Sequence, residues 1–327
     1  MGAGAMEAGA MGAGTMEAGT GHSDLRRASA PGEDLALAVR LSGWLARRGA
    51  LGRAGTPALL AGGRANLVWR VGGAVCKLSR PRGATPLFPN DGAAEARALA
   101  ALRGRDIAPR LGAAIDTPWG LCLVQEYLPP REGASTEPDG PGDLGALLAR
   151  LHRLPPWRGL AGVPSDGATL RRGGLAMIAG QEGAPADRLR RAGREDAALF
   201  ADPRPGGGPD RVVLHGDPVP GNVIPTAQGL RLIDWQCPGL GDPALDLALA
   251  MSPAMRLVNG AAPLSPQGEA ALLEGYGTAR RAPCLAGLRP ALTWRMACYC
   301  LWRMARGDRA YAAGLEAELA LLARLGG

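Results

Sequence analysis

Between Val212 and Trp235 the chain reads VVLHGDPVPGNVIPTAQGLRLIDW, and no other stretch so narrows what the polypeptide can become. Two short apolar runs, Val212–Leu214 and Leu230–Ile233, each lead into an acidic residue, Asp217 and Asp234, and Asn222 lies five positions after the first. Runs this short, bounded by Gly and Pro, read as buried strands rather than helices. Strand ends deliver side chains to a cleft while the scaffold holds them still. Two carboxylates and a carboxamide converging there would offer a metal only hard oxygen donors, a set that suits Mg²⁺. Taken singly, His215-Gly216-Asp217 reads equally as a polar turn, Asn222 as a turn residue and Asp234 as a cap.

The cations add a second constraint. The 327 residues hold 36 arginines and one lysine, Lys77. Lysine is ordinarily among the commonest residues, so almost every generic cation here has become Arg. The surviving lysine is a candidate for a task that needs a compact, rotatable ammonium rather than a planar fork. The net charge of +7 does not point to nucleic acid. The arginines are scattered among Asp and Glu, no run exceeds two, and 4% aromatic residues leave little for base stacking. Six cysteines in a chain of this length make no disulfide framework, and Cys298-Tyr299-Cys300 is too tight for a zinc pair. No apolar stretch approaches the roughly 20 residues of a membrane helix and no secretory signal is visible. A soluble, cytoplasmic protein without membrane or nucleic-acid partners is the expectation.

Along the chain, residues 1–20 are a tandem decamer of small residues, and 1–29 is expected to be a disordered tail. The periodicity predicts a helix over Asp34–Arg48 and strands at Ala58–Ala61, Asn66–Val71 and Val75–Leu78. A helix at Ala93–Leu102 carrying Glu95 follows, then strands at Leu111–Ile115 and Leu121–Glu126. Beyond Tyr127 the pattern turns helical, at Leu144–Arg153, Ala186–Phe200, Gly268–Tyr276, Pro290–Arg306 and Asp308–Leu325. The fold class is therefore α+β. A small sheet-rich lobe, 30–126, precedes a larger, mostly helical lobe, 127–327.

H-x-D-x4-N followed by an apolar strand ending in Asp is the spacing of the catalytic loop and metal carboxylate in phosphoryl-transfer enzymes. Here the chain resembles the aminoglycoside phosphotransferase and choline kinase family, whose fold is protein-kinase-like. His215-Gly216-Asp217 through Gly221-Asn222 resembles its catalytic loop, and Ile233-Asp234-Trp235 with Gly241-Asp242-Pro243-Ala244-Leu245-Asp246 its metal segment and following helix. The first lobe is similar as well. Leu60 through Val71, with Gly62-Gly63 and Asn66, resembles the family's strand–turn–strand over the nucleotide phosphates, and Lys77 follows on the next strand.

The resemblance implies an ATP- and Mg²⁺-dependent transfer of the γ-phosphoryl group to a hydroxyl of a small molecule. Aminoglycosides, choline, ethanolamine, thiamine and sugars are the acceptors to consider. Lys77 would contact the α- and β-phosphates, oriented by Glu95. The backbone carbonyl of Glu126 and amide of Leu128 would meet the adenine edge. Asp217 would take the acceptor's proton, Asn222 and Asp234 would hold Mg²⁺, His215 would brace the loop, and Asp246 would anchor it from below. Pro218 and Val219 stand where relatives often carry Leu or a second His, so no role for that His carries over.

A protein kinase-like activity is disfavoured because Asp234 is followed by Trp235-Gln236 and no D-F-G or A-P-E segment appears. A nucleotide-binding pseudokinase serving as an interaction module is disfavoured by the intact Lys77, Asp217, Asn222 and Asp234. On the helical side, Trp294, Cys298, Leu301, Trp302 and Ala305 fall at helical spacing beside Tyr299. They read as a core-facing stripe rather than an aromatic cage for a quaternary ammonium. Glu269, Glu274 and Asp308 read as solvated carboxylates.

Overall fold

The computed structural model describes residues 31–52, 55–60, 66–80, 83–133, 140–201, 211–277 and 282–326. The expected tail 1–29 and the expected phosphate-facing Gly62 and Gly63 lie outside those residues.

The first lobe begins with α1 (Pro31–Ala46) and builds an antiparallel sheet from β1 (Ala58–Leu59), β2 (Leu67–Val71), β3 (Ala74–Leu78), β4 (Leu111–Thr117) and β5 (Gly120–Glu126), in the order β1-β2-β3-β5-β4. Side chains alternate across a strand, and the alternation sorts this sheet cleanly. Trp69, Cys76, Leu78, Cys122 and Val124 pack with Ala38, Leu41 and Leu45 of α1 into one core. Trp69 completes the seal by donating its indole N–H to Ser42 Oγ at 2.8 Å. Lys77 is thereby turned to the opposite face, paired in register with Val68 and Leu123. Beneath that face lies α2 (Gly92–Ala101), started by Asp91, whose carboxylate accepts the N–H of Ala94 at 2.9 Å.

The second lobe is helical, with α3 (Pro141–His152), α4 (Gly167–Met177), α5 (Ala184–Glu195), α6 (Ala244–Met251), α7 (Pro253–Val258), α8 (Pro266–Tyr276), α9 (Ala282–Met304) and α10 (Tyr311–Leu325). Short strands are set among them. β6 (Ala161–Gly162), β7 (Val212–Leu214) and β10 (Gly239–Gly241) form one small sheet, and β8 (Val223–Thr226) with β9 (Gly229–Leu232) a hairpin. One core joins α2, α3, α6 and α8 around β7 and Trp235. A second gathers α9 and α10 around Trp294 and Tyr299. No helix among the described residues is long and apolar enough to cross a membrane.

Three expected helices differ in extent. The one expected over Ala186–Phe200 breaks after Glu195, because Asp196 goes extended and its carboxylate caps a separate 3-10 turn by accepting the N–H of Leu199 at 3.0 Å. The one expected from Pro290 begins eight residues earlier and carries Pro290 inside it. The last begins at Tyr311 rather than Asp308, whose carboxylate instead pairs with Arg303 at 2.6 Å. The helix α4 was not foreseen.

Candidate active site

β3 and α2 bring Lys77 and Glu95 together across the lobe's inner face, with Lys77 Nζ donating to Glu95 Oε2 at 2.6 Å. The same ammonium also bonds Asp234 Oδ1, which arrives from the other lobe 157 residues later. Lys77 is 4% exposed. Burial alone would lower its pKa, but Glu95 and Asp234 more than offset this and hold it at about 12. The cation therefore stays charged where an isolated buried ammonium would not. Asp234 itself sits in the left-handed region at φ 63°, a conformation that Asp tolerates better than most residues. The turn directs its carboxylate away from β9, leaving the side chain 32% exposed.

The loop after β7 is held from below. Asp246, on the first turn of α6, accepts the backbone N–H of His215 at 2.8 Å on Oδ2 and that of Gly216 at 2.9 Å on Oδ1. His152 of α3 joins Oδ2 through Nε2 at 3.1 Å, and its Nδ1 lies 2.8 Å from the Tyr276 hydroxyl of α8. A carboxylate can only accept, so His152 Nε2 carries the hydrogen. Burial works to raise Asp246, but the donors gathered on it hold the carboxyl below its ordinary range.

Gly216 makes this turn possible. Its φ is 84°, and a Cβ there would lie 2.1 Å from the Cys237 carbonyl. His215 is fully enclosed against Trp235, with ring centroids 4.5 Å apart. Its Nδ1 accepts the Asp217 N–H at 3.2 Å, which leaves Nε2 to donate to the Ile233 carbonyl at 3.0 Å. Burial lowers its pKa. His215 is thus a neutral brace between the two loops.

Asp217 stands where this bracing delivers it. Its Oδ2 accepts from Asn222 Nδ2 at 3.1 Å, and the same Nδ2 bonds the Asp217 carbonyl at 2.9 Å. Oδ1 is shut from solvent and has no hydrogen-bond partner. Burial, then the neighbouring Asp234 carboxylate, pushes Asp217 up to about 8. Asn222 and Asp234 are neighbours through the backbone, since the Ile233 N–H donates to the Asn222 carbonyl at 2.9 Å. Lys77, Glu95, Asp217, Asn222 and Asp234 therefore meet at one place, with His215 and Asp246 behind them.

Other expected positions fall differently. Asn66 is 5% exposed and spends its amide on the protein, donating to Asn90 Oδ1 at 2.8 Å and Gln236 Oε1 at 3.0 Å and accepting the Arg80 N–H at 2.8 Å. It ties the β2 entry to the segment behind Asp234. Glu126 ends β5 with its carboxylate accepting the Arg110 N–H at 3.1 Å, and Tyr127 N–H bonds the Gly73 carbonyl at 2.9 Å. Leu128 follows at the crossing between the lobes. Trp294, Cys298 and Tyr299 are buried as expected of a core stripe, whereas Ala305 is exposed. Glu269 is not simply solvated, because it pairs with Arg289. Glu274 is exposed.

A profile of the phosphotransferase enzyme family matches residues 56–289. The chain belongs to that family. Within this phosphotransferase family the relatives differ in what they are named for. A thiamine kinase of Shigella boydii is 35% identical over 135 residues, covering 38% of this chain and 42% of its own. The chain thus matches less than half the length of that relative. A choline/ethanolamine kinase family protein from Mesorhizobium loti superposes with a TM-score of 0.61 at 20% identity, covering 87% of this chain and 94% of its own. An aminoglycoside 2'-phosphotransferase-IIIa, solved as its GDP complex, superposes at 0.60 with 14% identity, covering 88% and 99%. These two likenesses give the fold, which is the protein-kinase-like one.

Sequence reasoning missed His152, Tyr276, Asn90 and Gln236. His152 carried a signal: it is one of three histidines in the chain and sits on the apolar α3 helix. It also missed a cavity of about 300 Å³ that runs from Gly216 and Cys237, behind the loop, to α6, α9 and α10.

Proposed function

We propose that the protein transfers the γ-phosphoryl group of ATP to a hydroxyl of a small molecule, drawing on the cytoplasmic nucleotide pool. The observation that carries the reading is Lys77, a charged ammonium held jointly by Glu95 and Asp234 so that both lobes contribute to one site. An ammonium so placed is a point charge for phosphate oxygens. The nucleobase would lie at the crossing between the lobes, against the Glu126 carbonyl and the Leu128 amide. Gly62 and Gly63 would close over its phosphates.

The residues fit a divalent cation. Asn222 gives its N–H₂ to Asp217, which leaves Oδ1 as an acceptor, and Asp234 gives one oxygen to Lys77. Both remaining donors are hard oxygens. Asn222 and Asp234 would hold Mg²⁺, which neutralises charge on the phosphates as the γ-phosphoryl leaves.

Asp217 then has one task. Its unpartnered Oδ1 accepts the hydrogen bond of the acceptor hydroxyl and orients it. The acceptor oxygen forms its bond to phosphorus, the bond from phosphorus to the β,γ-bridging oxygen breaks, ADP departs with that electron pair, and the hydroxyl proton passes to Asp217 in its ionised form. Because the transition state is loose, orientation matters more than basicity. The reading is tested by acceptor-dependent ADP release over a panel of hydroxylated compounds with Mg²⁺ and ATP. Lys77→Arg is expected to lower kcat/KM by roughly 10-fold or more despite the kept charge, because a guanidinium cannot rotate its donors onto both carboxylates and a phosphate. Unchanged turnover in that variant, or no Mg²⁺-dependent ATP binding, would overturn it.

A further inference from the structure

The loop from β3 to α2 belongs to the first lobe by sequence and to the second by its contacts. Phe88 is buried in the core of α9 and α10, edge-on to Tyr299 with ring centroids 5.3 Å apart. The Tyr299 hydroxyl donates to Thr85 Oγ1 at 3.2 Å, and Cys237 Sγ donates to the Pro89 carbonyl at 2.9 Å. The Asp91 N–H then donates to the Gln236 carbonyl at 3.3 Å. Asp91 caps α2, and Glu95 stands on the first turn of that helix. Glu95 is therefore placed by reference to Gln236 and Cys237, which closely follow Asp234 in the chain. The two carboxylates that grip Lys77 share one support.

Three carboxamides join that support to the first lobe's sheet. Asn66 and Asn90 meet amide to amide, Asn66 Nδ2 donating to Asn90 Oδ1 at 2.8 Å and Asn90 Nδ2 to Asn66 Oδ1 at 3.0 Å. Asn66 Nδ2 also donates to Gln236 Oε1 at 3.0 Å, across 170 residues of chain. Arg80 closes the set, its N–H on Asn66 Oδ1 at 2.8 Å and its carbonyl accepting from Asn90 Nδ2 at 2.7 Å. Asn66 and Gln236 are both buried. Displacing a buried amide with both ends bonded leaves polar groups unpaired, so the set favours one geometry.

Asp234 needs such support. It holds φ at 63° with its side chain 32% exposed, and a non-glycine residue keeps that backbone only where its surroundings over-determine it. We propose that Asn66, Asn90 and Gln236 form a clasp between the lobes that holds Asp234 in register with Glu95 and Lys77. Gln236 is thereby a positioning residue for the Mg²⁺-ATP site. The proposal rests on the phosphotransfer reading and adds the residues that assemble its metal carboxylate before the nucleotide arrives. A site assembled in advance loses less freedom on binding.

Gln236→Met keeps the length of the side chain and removes the acceptor. By calorimetry it is expected to weaken Mg²⁺-ATP binding roughly 5-fold or more, and metal-free ATP binding by less than about 2-fold. In the protein without nucleotide or metal, amide exchange at Asp91 and over residues 234–237 is expected to quicken by a similar factor. Asn66→Ala should do the same, and the double variant should lose little more, because both changes break one contact. Gln236→Glu still accepts the Asn66 N–H and should keep the parent's slow exchange. Ser42→Ala removes a buried hydrogen bond to Trp69 in the α1 core, and should leave both readouts unmoved.

Parent-like affinity and exchange in Gln236→Met would overturn the inference and leave the phosphotransfer reading standing. Equal losses in Ser42→Ala, or additive losses in the double variant, would do the same. Should Gln236→Met fail to fold, Asn90→Ala breaks the clasp from the loop side, with the same losses expected and their absence counting against it. A parent that does not bind Mg²⁺-ATP would overturn the phosphotransfer reading, and the inference with it.

Discussion

Asp217 and Asp246 lie on either side of the same loop, and their surroundings drive them in opposite directions. Asp246 accepts two backbone N–H groups and a histidine N–H, and its carboxyl stays below the ordinary range in full burial. Asp217 accepts one side-chain N–H on one oxygen, faces Asp234, and is pushed up to about 8. Desolvation acts on both, so the donors gathered on Asp246 and the Asp234 charge facing Asp217 decide the outcome. The saturated acid fixes the loop. The undersupplied acid keeps an oxygen for something the protein does not itself provide. Stability and reactivity are thus divided between two aspartates of one motif.

The largest effects should come from removing each member. Asp217→Asn should lower kcat by about 10³-fold in the acceptor-dependent assay. It should not destabilise the metal-free protein at pH 8. A folded pKa near 8, raised above the unfolded value near 3.9, means that Asp217's contribution to stability is full below about pH 4 and lost as pH rises through 8. The variant lacks that loss, so urea melts should show it gaining on the parent between pH 4 and 8, by on the order of 5 kcal/mol. Asp246→Ala should do the reverse. It orphans two buried amides and a histidine, and a cost of about 3–5 kcal/mol is expected at neutral pH. Because the folded pKa of Asp246 is depressed, that gap is present above about pH 4 and closes only as pH falls through the still lower folded value. A variant pair whose pH dependences ran parallel would break the comparison.

The same division explains what could be read from sequence. The Asp217–Asn222–Asp234 spacing was legible because short strands fix the positions of their end residues, and Lys77 because it stood alone among arginines. Glu95 followed from the family resemblance, which places the lysine's partner on the next helix. The supports were not legible, since His152, Tyr276, Asn90 and Gln236 act across separations of 24 to 170 residues that no local pattern encodes. The helix α4 was hidden for a packing reason. Its sequence, GATLRRGGLAM, is interrupted by the Gly173-Gly174 pair, yet a Cβ at Gly174 would fall 2.1 Å from the Trp294 ring. The tertiary contact demands a residue that propensity counts against a helix. Pro290 inside α9 misled in the same way.

The smallest effect bears on how far the anchoring of Asp246 reaches. Tyr276 touches His152 Nδ1 at 2.8 Å and packs edge-on to that ring, and His152 in turn touches Asp246. Tyr276→Phe removes the hydroxyl and keeps the ring, so a loss of about 1 kcal/mol in urea melts is expected. Turnover should change by less than about 3-fold. The two backbone amides already satisfy Asp246 from the loop side, and His152 Nε2 still donates without help from Tyr276. If Tyr276→Phe instead reduced kcat as severely as Asp246→Ala, the loop would be held by the whole chain of contacts from α8 inward. The contrast would then lie between two networks rather than two carboxylates.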